Sequence, residues 1–135
     1  MSALPQLARL THAEYFALEQ AGDLKHEYVD GYVYAMAGAS QKHIDISDNL
    51  FAALFAGLKG GTCRTSHSDV RVYVEAADSF FYPDVVVTCD ERDRQPDQDF
   101  ICYPCLVVEI LSETTEAFDR GAKFADYARV RGKPS

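Results

Sequence analysis

Hydrophobic positions along this 135-residue chain recur with two periods, about 3.6 residues in some stretches and about 2 in others, and each change of period marks an element boundary. Thr11-His-Ala-Glu14 has the form of a capping box, whose hydroxyl and carboxylate satisfy the free amides of a first helical turn. A helix is predicted from there to about Gln20, stopped by Gly22, with Tyr15, Leu18 and Phe16 supplying its apolar side. Next, two β-rich runs between His26 and Met36 flank Asp30-Gly31, a pair suited to a two-residue hairpin because both residues tolerate positive φ. Ser40 then reads as the N-cap of a helix over 41–59. Ser47, Leu50, Phe51, Leu54, Phe55 and Leu58 form its stripe, and Gly60-Gly61 ends it.

Beyond that helix the period falls to 2. Val70, Val72 and Val74 alternate with polar residues in a strand running from Arg64 to Val74, and Phe80 to Thr88 follows after a turn. Residues 90–99 are charged without apolar period and read as a solvated connection. Ile101 to Leu111 is expected as a central strand. A helix from Asp119 to Val130 should place Arg120, Lys123, Tyr127 and Val130 on one face.

Composition narrows the class. A hydrophobic share of 47% and a charged share of 25% suit one globular domain spanning 1–135. No apolar run approaches the roughly 18 to 20 residues of a membrane helix, and the N-terminus lacks the regions of a secretory signal, so a cytoplasmic location is expected. The net charge of −8 argues against a dedicated nucleic-acid binder, although a local basic stripe can coexist with an acidic whole. Of the four cysteines only Cys102 and Cys105 have metal-like spacing. Zinc usually gathers a second pair, so free thiols are the expectation and structural zinc the alternative.

Two apolar runs each carry one carboxylate: Asp84 in Tyr82-Pro-Asp-Val-Val-Val-Thr88 and Glu109 in Leu106-Val-Val-Glu-Ile-Leu111. An ionised group in such a run is costly unless paired or bound to a cation. If the two strands are neighbours with aligned faces, the carboxylates converge on one point. Hard oxygen ligands of this kind suit Mg²⁺ or Mn²⁺. Lys123, reaching in from the following helix, could steady charge developing on a phosphate. The same residues also admit a plain strand start at Pro83-Asp84 and a structural Glu109–lysine pair. His43 lies one turn before Ser47 and reads as either a hydrogen-bonded structural residue or a catalytic one.

Pro83-Asp84 followed by Glu109-Ile-Leu111 resembles the PD-(D/E)xK nuclease superfamily. More narrowly, the order of segments resembles a bacterial branch of restriction-endonuclease-like proteins in which the lysine sits on the next helix. The matching segments are His26-Glu-Tyr-Val-Asp-Gly31, Gly38-Ala-Ser40 with His43 and Asn49-Leu50, Tyr82 to Val87, Leu106 to Ser112, and Asp119-Arg-Gly-Ala-Lys-Phe124. The resemblance implies an α/β (α+β mixed-sheet) fold, with a core of helix, three-stranded meander, helix and final strand. An N-terminal helix and hairpin flank that core. It implies Asp84 and Glu109 as metal ligands for Mg²⁺ or Mn²⁺, Lys123 as base or charge stabiliser, Glu27 as a supporting acid and His43 as a further candidate. The activity implied is endonucleolytic hydrolysis of DNA.

The sequence departs from the branch in one respect: Gly132-Lys-Pro-Ser135 stands where the family continues into a further core strand. The expectation is therefore an uncovered strand edge, relieved by a homodimer or larger assembly. Two other readings stay open, a non-enzymatic protein with a vestigial nuclease site and a zinc protein built on Cys102 and Cys105.

Overall fold

The computed structural model of the chain describes residues 9–111 and 124–127. Helix α1 spans His12–Ala21 and opens on the predicted capping box, with the Glu14 amide donating to Thr11 Oγ1 and the Thr11 amide to the Glu14 carboxylate. Strands β1 (His26–Val29) and β2 (Tyr32–Ala35) form the predicted hairpin. Its turn holds Asp30 at φ 49° and Gly31 at φ 95°, the left-handed conformations that suit a two-residue loop. Helix α2 spans Gln41–Leu58, and the Ser40 hydroxyl caps it by accepting from the His43 amide. Gly60 follows at φ 88°.

The two long strands expected over 64–74 and 80–88 are each broken in the middle. The first divides into β3 (Arg64–His67) and β4 (Arg71–Val74), the second into β5 (Ser79–Phe81) and β6 (Val85–Thr88). Both halves still pair as one long antiparallel hairpin, but the register shifts by one residue across the break. Val72 stands opposite Phe81 on one side, and His67 opposite Val85 on the other. Ser68 at φ 50° turns one arm, and Pro83, which has no amide to donate, interrupts the other. The hairpin thereby passes from one sheet to a second.

The first sheet has the order β2-β1-β5-β4-β7, where β7 is Phe100–Ile101 and pairs in parallel with β4. The second has the order β3-β6-β8, where β8 is Pro104–Val108. The segment expected as one central strand from Ile101 to Leu111 is thus β7 and β8 in different sheets, and among the described residues β8 pairs only with β6. A last helix, α3, is described over Phe124–Tyr127.

The apolar side chains gather in two places. Tyr15 from α1 packs on Tyr28, Val33 and Phe80, an aromatic layer over the first sheet. Val72, Val74, Phe81, Val86 and Ile101 form a second cluster between the sheets, with Val107 and Tyr127 against it. Helix α2 covers the other side of the second sheet, where Phe51 stacks on His67 with centroids 4.0 Å apart. All four residues of β6 are therefore buried, as expected for a strand covered on both faces.

The 90–99 connection departs from a solvated loop. It contains a short 3-10 turn over Glu91–Arg94, and within it Asp93 is fully buried. Its carboxylate accepts from the Thr88 hydroxyl at 2.7 Å, the Cys102 amide at 2.8 Å and the Tyr103 amide at 3.0 Å. Three donors compensate the desolvated charge and fix the β7–β8 turn against β6. The cysteines also differ from expectation. Cys63 and Cys89, 26 residues apart, are joined as a disulfide, because they directly flank the paired ends of β3 and β6. Cys105 is a free thiol, and Cys102 takes no part in that disulfide. No helix among the described residues is long and apolar enough to cross a membrane.

Candidate active site

Asp84 sits at the break in the long hairpin, one residue before β6. Its amide donates to Val108 O at 3.0 Å, the last backbone bond of the β6–β8 ladder. The paired register ends with Val85 opposite Val108, so Asp84 and Glu109 are the residues next to that last pair on the two segments. Beyond this point Pro83 carries the chain away, and the Asp84 side chain takes over the ladder. Its Oδ2 accepts from the Ile110 amide at 2.6 Å. The carboxylate is thus oriented by the backbone of the strand that bears Glu109.

His43 lies in the first turn of α2. Its Nε2 stands 2.7 Å from Asp84 Oδ1, with side-chain exposures of 21% and 19% for the two groups. An ionised carboxylate only accepts, so the imidazole hydrogen in this pair is on Nε2. Glu109 is held from the other side, where the Tyr127 hydroxyl of α3 donates to Oε2 at 2.9 Å. The Tyr127 ring packs edge-on against Phe81, centroids 5.3 Å apart, which anchors that hydroxyl to the core.

Glu27 on β1 is 3% exposed and accepts from the Tyr82 amide at 2.9 Å. It therefore fixes the backbone two residues before Asp84. The Tyr82 hydroxyl donates to Glu19 Oε1 at 2.8 Å, and the other oxygen of Glu19 meets His26 Nδ1 at 2.8 Å. Burial, followed by the bond to Glu19, pushes the Tyr82 phenol up to about 12. The Arg71 guanidinium lies over Phe16, Tyr15 and Tyr82, at 4.9, 5.7 and 5.8 Å from their centroids. Together these contacts clamp Tyr82-Pro83-Asp84 between α1, β1 and β4.

Of the five residues singled out in the sequence, His43 touches Asp84 directly, Asp84 is bound by the amide next to Glu109, and Glu27 touches the same segment through Tyr82. Lys123 lies outside the described residues. Tyr127 was read only as a member of the Lys123 face. Its spacing, one helical turn after Lys123, is the signal that could have marked it as a partner of the same site. Among the described residues no group of three or more His, Cys, Asp or Glu is arranged to hold a metal ion, at the cysteines or around Asp84.

The architecture, a mixed α+β fold, is that of restriction-endonuclease-like nucleases. A solved structure of similar fold is the crystal structure of a putative nuclease belonging to DUF820 from Anabaena variabilis. Its TM-score is 0.63 at 20% identity, over 82% of this chain and 65% of that one. The model of the Uma2 family, described as "Putative restriction endonuclease", matches residues 12–134, and the chain belongs to that family. Two relatives come from Synechocystis. Uncharacterized protein slr1290 is 48% identical over 120 residues, covering 89% of this chain and 63% of the relative. Uncharacterized protein sll1609 is 32% identical over 122 residues, covering 90% and 69%. The chain therefore spans less than two thirds of the length of slr1290.

Proposed function

We propose that this chain carries the active site of a metal-dependent endonuclease that hydrolyses DNA phosphodiester bonds, with Asp84 and Glu109 as the ligands of one Mg²⁺ or Mn²⁺. The observation that supports this reading is that both residues adjoin the last pair of the β6–β8 ladder, with the Asp84 carboxylate bound by the Ile110 amide next to Glu109. The donor set fits the ion. Mg²⁺ is commonly held by one or two carboxylates, with waters and substrate phosphates completing the shell. A carboxylate offers about four lone-pair sites, so Asp84 keeps acceptor capacity beyond its bonds to His43 and Ile110. When bound, such an ion supplies Lewis-acid polarisation of the scissile phosphate.

The remaining residues act on the ligands and on the substrate. The His43 N–H and the Ile110 amide fix the Asp84 carboxylate, and Tyr127 fixes Glu109, in the way that outer hydrogen bonds orient metal ligands. Glu27 holds the backbone that presents Asp84. Lys123 is assigned one of two roles: as an ammonium, stabilisation of charge on the phosphate oxygens, or, as the neutral amine, uptake of the proton from the attacking water.

The test is cleavage of supercoiled plasmid and short duplex DNA in Mg²⁺ or Mn²⁺ by wild type, Asp84→Ala and Lys123→Ala. Cleavage by wild type alone supports the reading, and equal cleavage by all three overturns it. A second reading, a non-enzymatic homo-oligomer with a vestigial site, draws on the net charge of −8. Absence of cleavage under every condition favours it. Under either reading we assign a homodimer, supported by β8, where Leu106 is 41% exposed. A strictly monomeric mass by light scattering contradicts that assignment.

A further inference from the structure

Three of the four cysteines meet at the end of the second sheet opposite the carboxylates. Cys63 precedes β3, Cys89 follows β6, and Cys105 lies in β8 where the register shifts between Val87 and Thr88. Cys63 and Cys89 are joined, while the Cys105 sulfur is a free thiol only 3.6 Å from Cys89 Sγ. Cys89 and Cys105 are both exposed. A thiol in van der Waals contact with a disulfide sulfur is positioned for exchange, since attack by a thiolate on a disulfide needs no other reagent.

We propose that Cys63, Cys89 and Cys105 form a thiol–disulfide exchange site, in which the disulfide passes reversibly between Cys63–Cys89 and Cys89–Cys105. In the forward step Cys105 loses its proton to solvent and its thiolate attacks Cys89 Sγ. The Cys89–Cys105 bond forms, the Cys63–Cys89 bond breaks, and Cys63 leaves with the electron pair and takes up a proton. No net oxidation occurs. The exchange moves the covalent staple from the β3–β6 pair to the β6–β8 pair, whose far ends bear Asp84 and Glu109. The exposed sulfurs also admit low-molecular-weight thiols as outside partners. The exchange does not depend on the nuclease reading.

Trypsin separates the participants, because Cys63 falls in 60–64, Cys89 in 72–92 and Cys105 in 95–120. The full chain carrying Cys102→Ser, so that 95–120 holds one cysteine, is incubated at pH 6 to 8, trapped with excess N-ethylmaleimide and mapped without reduction. Both linkages are expected, 60–64 with 72–92 and 72–92 with 95–120. The second should form about tenfold faster per pH unit while the thiol remains mostly protonated. A Cys63→Ser/Cys102→Ser chain treated with oxidised glutathione should lose both remaining thiols to the 72–92/95–120 link. The proposal is overturned by finding only the first linkage, by four free thiols in wild type, or by a double variant whose cysteines stay free or carry glutathione.

Discussion

His43 Nε2 lies 2.7 Å from Asp84 Oδ1, joining the first turn of α2 to the start of β6 across 41 residues of chain. The Ser40 cap fixes where α2 begins, and Pro83 fixes where β6 begins, so the pair registers one element against the other. As an orienting contact it should matter more to metal affinity than to folding. His43→Ala is expected to weaken Mn²⁺ binding about 10- to 100-fold. His43→Gln, which keeps a donor, should recover part of that loss. Calorimetry on the three proteins checks this, and unchanged affinity in His43→Ala counts against an orienting role.

Tyr127 makes the corresponding contact to Glu109 at 2.9 Å. Tyr127→Phe keeps the ring packing on Phe81 and removes only the hydroxyl, so the stability loss should stay at about 0.5–1.5 kcal/mol. Mn²⁺ affinity should fall about tenfold at least. Urea denaturation and calorimetry on the same sample separate the two effects.

Asp93 is predicted to be the most sensitive structural position in the 90–99 connection. Asp93→Ala leaves the Cys102 and Tyr103 amides without their acceptor, while the Thr88 hydroxyl keeps Tyr103 O at 3.2 Å. At about 1–3 kcal/mol for each unsatisfied buried group, a loss of at least about 2 kcal/mol is expected from urea unfolding. Replacement of the exposed neighbour Glu91 should change stability by under about 0.5 kcal/mol.

Tyr82 gives the alkaline limit. Its phenol is raised from 10.0 to about 12, first by burial and then by its bond to Glu19, and Tyr73 is raised likewise by burial and by Asp78. The fold thus favours the protonated phenols. Their contribution is complete below about pH 10 and is lost as pH rises through 12. Urea midpoints measured from pH 9 to 12 should fall across that interval, and Tyr82→Phe should flatten the decline.

Much of this arrangement was legible in the sequence wherever the signal was local. Thr11 with Glu14, Asp30-Gly31 and Ser40 each specify a conformation through neighbours within four residues, and each is found as expected. The β6–β8 adjacency, posed from the sequence only as a condition for the carboxylates to converge, is observed. What failed depended on distant partners. The break at Ser68 and Pro83 leaves the alternation of Arg64 to Val74 intact, so periodicity reads one strand where two sheets divide it. Asp93 looks solvated among Asp90, Glu91 and Arg92 because its three donors lie on Thr88, Cys102 and Tyr103. Cys63 and Cys89 gave no pairing signal, since only the β3–β6 register brings them together.

Calorimetric titration of Mn²⁺ into the wild-type chain, Asp84→Asn and Glu109→Gln addresses the paired-carboxylate site most directly. One ion should bind the wild-type chain, and each neutral isostere should abolish that heat while the fold persists by circular dichroism. Undiminished binding in both variants, or no binding to the wild-type chain, contradicts a metal centre at this strand pair.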